Sequence, residues 1–148
     1  MTILLVEDSP DDVFFMKRAL QLTGTPASVQ VAEDGQVAID YLRGVGPFAN
    51  RTEFPIPGLV LLDLRMPRVP GFEVLKWLRE NQEFNCIPVV VFSSSREESD
   101  MQQAYGLGAN SYLVKTSDSK KLAALAKSLV DYWLGCNERP PACVETVP

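Results

Sequence analysis

Five short apolar runs rich in branched residues punctuate the chain: Ile3–Val6, Val29–Ala32, Leu59–Leu62, Pro88–Phe92 and Tyr112–Val114. Most are continuous rather than alternating, which suits parallel strands buried on both faces better than a sheet with one wet face. Between them the apolar positions change to helical spacing. Ser9-Pro10-Asp11-Asp12 reads as an N-cap, a proline at the first helical position and acids in the first turn. Val13, Met16 and Leu20 then share a face, and Gly24 is a stop. Val37, Ala38, Tyr41 and Leu42 mark a second helix, and Phe72, Leu75 and Leu78, after Gly71, a third. Ser95-Arg96-Glu97-Glu98 reads as a capping box ahead of Met101, Ala104 and Tyr105. Leu122, Leu125, Leu129 and Trp133 form the last and clearest stripe. Strands alternating with helices in this way predict a doubly wound α/β fold, a parallel sheet with helices on both faces.

Two stretches break the rhythm. Residues 44–58 hold three prolines and three glycines without a usable period, which predicts an extended loop. After Leu134 the pattern loses its apolar face, so a domain over 1–135 is expected to be followed by a disordered or loosely attached tail, 136–148.

Composition narrows the class. A length of 148 residues suits one domain, and 46% apolar residues suffice for a core without metal or disulfide support. A net charge of −5 lacks the basic footprint of direct nucleic-acid binding. The chain contains no histidine, which excludes a Ser-His-Asp triad, a histidine general base and a histidine-containing zinc site. Cys86, Cys136 and Cys143 are widely spaced and odd in number, read as inert, reduced thiols of an intracellular protein. The apolar start meets Glu7 too soon for a signal peptide, and no apolar run reaches the ~18 residues of a membrane span. A cytoplasmic protein with no membrane contact is the expectation.

In doubly wound sheets ligands bind beyond the carboxyl ends of the strands. Glu7 and Asp8 end the first strand, Asp63 the third, Ser93 the fourth and Lys115 the fifth. Three carboxylates brought together repel: like charges about 4 Å apart cost roughly 4 kcal/mol at an effective dielectric near 20. A hard divalent cation relieves this, and Mg²⁺, which takes one or two carboxylates, a carbonyl and waters, is the best candidate. Lys115 supplies a second positive charge. Asp11 and Asp12 are read as helix-dipole partners rather than metal ligands.

This ordered set resembles the receiver domain of two-component response regulators. The resemblance is carried by ILLVEDSP (3–10), LLDLRMPRVPG (61–71), PVVVFSSS (88–95) and YLVK (112–115), and it spans Ile3 to about Leu134. It implies a five-stranded sheet of order 2-1-3-4-5. Asp63 becomes the phosphoacceptor. Asp8 and Asp63 would ligate Mg²⁺ directly, Glu7 through water and Arg65 by its main-chain carbonyl. Lys115 and Ser93 would hold phosphoryl oxygens, and Tyr112 would fill the space that Ser93 vacates on switching. The phosphoryl group would come from a phosphohistidine on a partner histidine kinase. The domain would assist its own phosphorylation and dephosphorylation without being an enzyme toward other substrates. About 14 residues follow Leu134, so the signal is expected to leave through a protein–protein contact. The face formed by the fourth helix, fifth strand and fifth helix is implied as the output surface.

Thr116 departs from the family, which usually has proline after the lysine; the bond between Lys115 and Thr116 is either trans or a strained cis bond. LLVEDSPDD, PIPGLVLLDL, IPVVVFSSSREESD and the late YWL further resemble single-domain regulators that serve bacterial and cyanobacterial phytochromes. That implies a phytochrome as kinase and a homodimer through the output face, with Tyr132 and Trp133 contributing. Three alternatives stand beside this reading. A receiver-like scaffold not controlled by phosphorylation draws on Thr116. A haloacid-dehalogenase-type phosphatase would need an acid where Arg65 stands. A flavodoxin-like carrier would need a phosphate-cradling loop where Glu7 and Asp8 stand.

Overall fold

The computed structural model describes residues 1–140. In chain order it contains β1 (Thr2–Val6), α1 (Pro10–Leu22), β2 (Ser28–Ala32), α2 (Gly35–Arg43), β3 (Leu59–Leu62), α3 (Gly71–Glu80), β4 (Val89–Ser93), α4 (Glu98–Gly106), β5 (Ser111–Val114) and α5 (Ser119–Leu129). All strand pairs are parallel, and the sheet order is β2-β1-β3-β4-β5, as expected.

The continuous apolar runs are explained by burial on both faces. Leu4 and Val6 of β1, Val60 and Leu62 of β3 and Val89 of β4 pack with Ala38, Tyr41 and Leu42 of α2 and Val74, Leu75 and Leu78 of α3. Alternate residues of the same strands, Ile3, Leu5, Leu59, Leu61, Val90 and Phe92, meet Met16, Ala19 and Leu20 of α1 and Leu122, Ala126 and Leu129 of α5. Period-two alternation therefore sends successive side chains into two different apolar layers.

Local signals terminate the elements largely as read. Ser9 Oγ accepts from the Asp12 N–H at 3.3 Å and caps α1, with Pro10 in the first turn. The capping box before α4 does not form. That helix starts at Glu98 without a side-chain cap, and the Ser95 hydroxyl instead accepts from the Glu97 N–H and donates to Asp100 at 2.6 Å. The last stripe also changes form: beyond α5 the chain widens into a π-helical run, Val130–Cys136, which keeps Trp133 and Leu134 against the core.

Residues 44–58 are more ordered than their composition suggests. Gly46–Phe48 forms a 3₁₀ turn, and Phe48 and Phe54 pack around Tyr41 with ring centroids 5.2 and 6.0 Å away. The Arg51 guanidinium donates to the carbonyls of Tyr41, Leu42 and Phe54, and the Tyr41 hydroxyl donates to Pro55 O at 2.8 Å. Hydrogen bonds to carbonyls and an aromatic cluster replace the periodicity that the sequence lacks.

Cys136 is a free exposed thiol, whereas Cys86 is disulfide-bonded, so the expectation of reduced cysteines fails at Cys86. Linear spacing carries no information on which cysteines fold close together. The expected tail over 136–148 lies mostly outside the described residues. No helix among the described residues is long and apolar enough to cross a membrane.

One close approach fixes the loop after β3. The Gly71 N–H donates to Leu64 O at 3.0 Å, and a Cβ at Gly71 would lie 2.1 Å from Asp63 O. Gly71→Ala therefore forces the β3 end and α3 apart and is expected to cost about 1–3 kcal/mol. Gly106→Ala, where a Cβ meets nothing within 4 Å, serves as the neutral control. Thermal denaturation of the two variants checks this: a clear loss of Tm is expected in Gly71→Ala alone.

Candidate functional site

The backbone ladder continues one residue past three strands and delivers the polar set to one edge. The Glu7 N–H donates to Ala32 O, Asp63 N–H to Val6 O, and Lys115 N–H to Ser93 O, at 3.0, 3.0 and 2.8 Å. Each functional side chain thus stands on main chain already held by its neighbour in the sheet. Carboxylate oxygens of Glu7, Asp8 and Asp63 lie within 4.8 Å of one another. Glu7 and Asp63 are buried and Asp8 is exposed. Beside Asp8 a hollow of about 360 Å³ opens between Leu64, Arg65, Met66, Pro70 and Phe72.

Lys115 Nζ reaches into this group from the end of β5. It lies 2.7 Å from Glu7 Oε2, 2.8 Å from Asp12 Oδ2 and 3.5 Å from Asp63 Oδ2. Among the described residues no peptide bond is cis, so Lys115–Thr116 is trans, and the lysine reaches the site without the usual proline.

The charges are strongly coupled. Burial pushes the Glu7 carboxyl up to about 7, against the opposing pull of Lys115 and the Ser9 N–H, and Asp63 adds repulsion. Burial also raises Asp63, although Lys115 and the Arg65 main-chain N–H favour its ionised form. Burial alone would lower the Lys115 ammonium; hydrogen bonds to Asp12 and Glu7 and the charge of Asp63 outweigh it and hold the lysine above its ordinary range. One ammonium thus leaves two buried carboxylates under-compensated. An all-oxygen, three-carboxylate cluster with that deficit fits a hard divalent cation.

The remaining candidates stand around this group. Ser93 is fully buried at the β4 end, and its hydroxyl accepts from the Ser95 N–H at 3.2 Å. The Tyr112 hydroxyl donates to Ser95 O at 2.9 Å. The Arg65 side chain turns away to Asp100 Oδ2 at 2.8 Å, the same oxygen that receives the Ser95 hydroxyl. Ser95 therefore ties β4, β5 and the β3–α3 loop together.

Three participants escaped the sequence reading. Asp12 pairs with Lys115 and so does more than complement the α1 dipole. Asp100 bridges Arg65 and Ser95. Asp34 caps α2 by accepting from the Val37 N–H at 2.9 Å and also takes two hydrogen bonds from Arg68, which adopts a left-handed φ of 63°. Burial opposes the Asp34 charge, yet the Val37 N–H and Arg68 hold its carboxyl below the usual range. The acidic first turn of α1 was the one local signal that could have pointed to Asp12; the arginine partners of Asp34 and Asp100, Arg68 and Arg65, lie 34 and 35 residues away.

Comparison with known proteins agrees with this geometry. Residues 3–127 match the response regulator receiver domain. Over 93% of its length the chain is 37% identical to the probable methanogenesis regulatory protein FilR2 of Methanothrix harundinacea, covering 86% of that protein. It is 34% identical to response regulator Rcp1 of Synechocystis, over 95% of this chain and 93% of that one. The Mn²⁺-bound structure of Rcp1 superposes with a TM-score of 0.85, covering 94% of this chain and 98% of that one. The phosphorylated cyanobacterial phytochrome response regulator RcpA superposes with a TM-score of 0.87 at 35% identity, over 94% of this chain and 97% of that one. With family model, fold and strand-end cluster in agreement, the chain belongs to the response regulator receiver domain family.

Proposed function

We propose that the chain is a single-domain response regulator that accepts a phosphoryl group on Asp63 from a partner histidine kinase and signals by binding another protein. The observation that carries this reading is the placement of the buried Asp63 carboxylate at the end of β3, beside Glu7 and Asp8 and within reach of Lys115. In the transfer, an Asp63 oxygen attacks phosphorus, the P–N bond to the donor imidazole breaks with its electron pair returning to the ring, and an acyl phosphate forms. Mg²⁺, held by Glu7, Asp8, Asp63 and the Arg65 main-chain carbonyl, would supply neutralisation of phosphoryl charge. Lys115 meets one phosphoryl oxygen, and the Ser93 hydroxyl, once released from the Ser95 N–H, meets another.

The added charge of about −1.5 to −2 favours the arrangement in which these donors turn to the phosphoryl group. Ser95 and Tyr112, bonded to each other and next in line, carry that rearrangement toward α4, β5 and α5, the face we assign to output and homodimer contact. Likeness to RcpA supports a phytochrome as the kinase. Arg65, two residues after Asp63, cannot serve as the leaving-group acid of a haloacid-dehalogenase-type phosphatase.

Incubation with acetyl phosphate and Mg²⁺ followed by intact mass is expected to add one phosphoryl group, about 80 Da. Asp63→Asn and chelation of the metal abolish the gain; a modification that survives Asp63→Asn would overturn the assignment. Cation binding has its own signature in the unphosphorylated protein. Saturation a hundredfold above Kd stabilises by about 2.7 kcal/mol, so Mg²⁺ raises Tm. Asp8→Asn is expected to weaken that rise and, by removing one of three like charges, to raise Tm in chelator. Scanning fluorimetry with and without Mg²⁺ reads both effects.

A further inference from the structure

Asp12 stands apart from the other carboxylates around Lys115. It lies 2.8 Å from the ammonium, closer than Asp63 at 3.5 Å, yet it is not one of the three residues that cluster as cation ligands. The Lys115 ammonium donates a hydrogen bond to Asp12 at 2.8 Å and also forms ion pairs with Glu7 and Asp63, so three carboxylates crowd around it. A phosphoryl oxygen arriving at Asp63 competes with these partners for the ammonium. Glu7 is 2% exposed and cannot turn to water, and Asp63 is the reacting group. Asp12 is 41% exposed, on the first turn of α1, and can release its hydrogen bond into solvent.

We propose that Asp12 is the resting counter-ion of Lys115, a positioning residue that slows phosphoryl transfer to Asp63 by occupying the ammonium which the phosphoryl group needs. The inference rests on the reading of Asp63 as acceptor. With acetyl phosphate as donor, an Asp63 oxygen bonds to phosphorus while the bond from phosphorus to the acetate oxygen breaks, and acetate leaves with the electron pair. Lys115 meets the charge on the phosphoryl oxygens only to the extent that Asp12 gives it up. With a divalent cation held by Glu7, Asp8 and Asp63, Asp12 would remain as the exposed carboxylate paired with the lysine.

The test is the rate of acetyl phosphate-dependent mass gain in Mg²⁺ on the full chain. Asp12→Asn and Asp12→Ala are expected to accelerate it about two- to fivefold, the range of an ion pair with one exposed partner. Asp12→Glu, which keeps a carboxylate within reach, stays near the wild-type rate. The acceleration by Asp12→Asn is expected to vanish in a Lys115→Gln background, while the midpoint of the Mg²⁺-induced thermal shift stays unchanged in Asp12→Asn. An unchanged or slower rate in Asp12→Asn would overturn the proposal. So would equal acceleration in the Lys115→Gln background, which would assign the effect to repulsion of the donor. Loss of the Mg²⁺ shift in Asp12→Asn would overturn it by making Asp12 a metal ligand. Wild-type protein that takes up no phosphoryl group would refute the acceptor reading itself, an outcome distinct from a phosphorylated wild type with an indifferent Asp12.

Discussion

The Lys115 ammonium, facing carboxylates from three segments of chain, is the interaction on which the site depends. Folding buries Glu7 and Asp63 at the ends of adjacent strands, and burial disfavours their charged forms. A single lysine at the end of β5 offsets part of that penalty and leaves the rest, which makes the edge receptive to further positive charge. In the proposed acceptor role, a phosphoryl group on Asp63 would add negative charge beside the same lysine. The domain is thus held close to an electrostatic imbalance that its chemistry can exploit.

The sheet makes such a site stable enough to exist. Glu7, Asp63 and Lys115 each sit on main chain whose N–H continues the ladder to the neighbouring strand, so backbone order does not rest on the repelling side chains. Apolar layers on both faces bury β1, β3 and β4 along their length, while the edge strands β2 and β5 are partly exposed. The β3–α3 loop is pinned twice more, by the Gly71 approach to Asp63 and by the Arg68 hydrogen bonds to Asp34. The loop beside Asp63 is thus held by close packing and by hydrogen bonds from its own arginine.

Those loops meet at Ser95. Its main-chain N–H holds the Ser93 hydroxyl, its carbonyl receives Tyr112, and its hydroxyl joins Asp100 and, through it, Arg65. Ser93, Tyr112 and Arg65 were legible from motif position, but their common partner was not, because the Ser95 run reads locally as a helix cap. The Ser95 hydroxyl donates to the Asp100 carboxylate at 2.6 Å and accepts from the Glu97 N–H rather than from the first turn of α4.

Residues 44–58 show the same division. Prolines and glycines erased the periodicity that marks a helix or strand, while the order comes from Tyr41, Phe48 and Phe54 and from Arg51 on three carbonyls, none of it periodic. Chain order, strand ends, the two-faced burial of β1, β3 and β4 and the strand-end positions of the acids, hydroxyl and lysine were determined by the sequence itself, since each follows from the spacing of apolar residues within a few turns of chain; the partial exposure of the edge strands β2 and β5 was not. Which carboxylate holds Lys115 was decided only by the packing of α1 against α5 and the sheet, across the 103 residues between Asp12 and Lys115. Local patterns report which side chains leave water; the pairing of charges at separated strand ends depends on distances that exist only after the layers have closed.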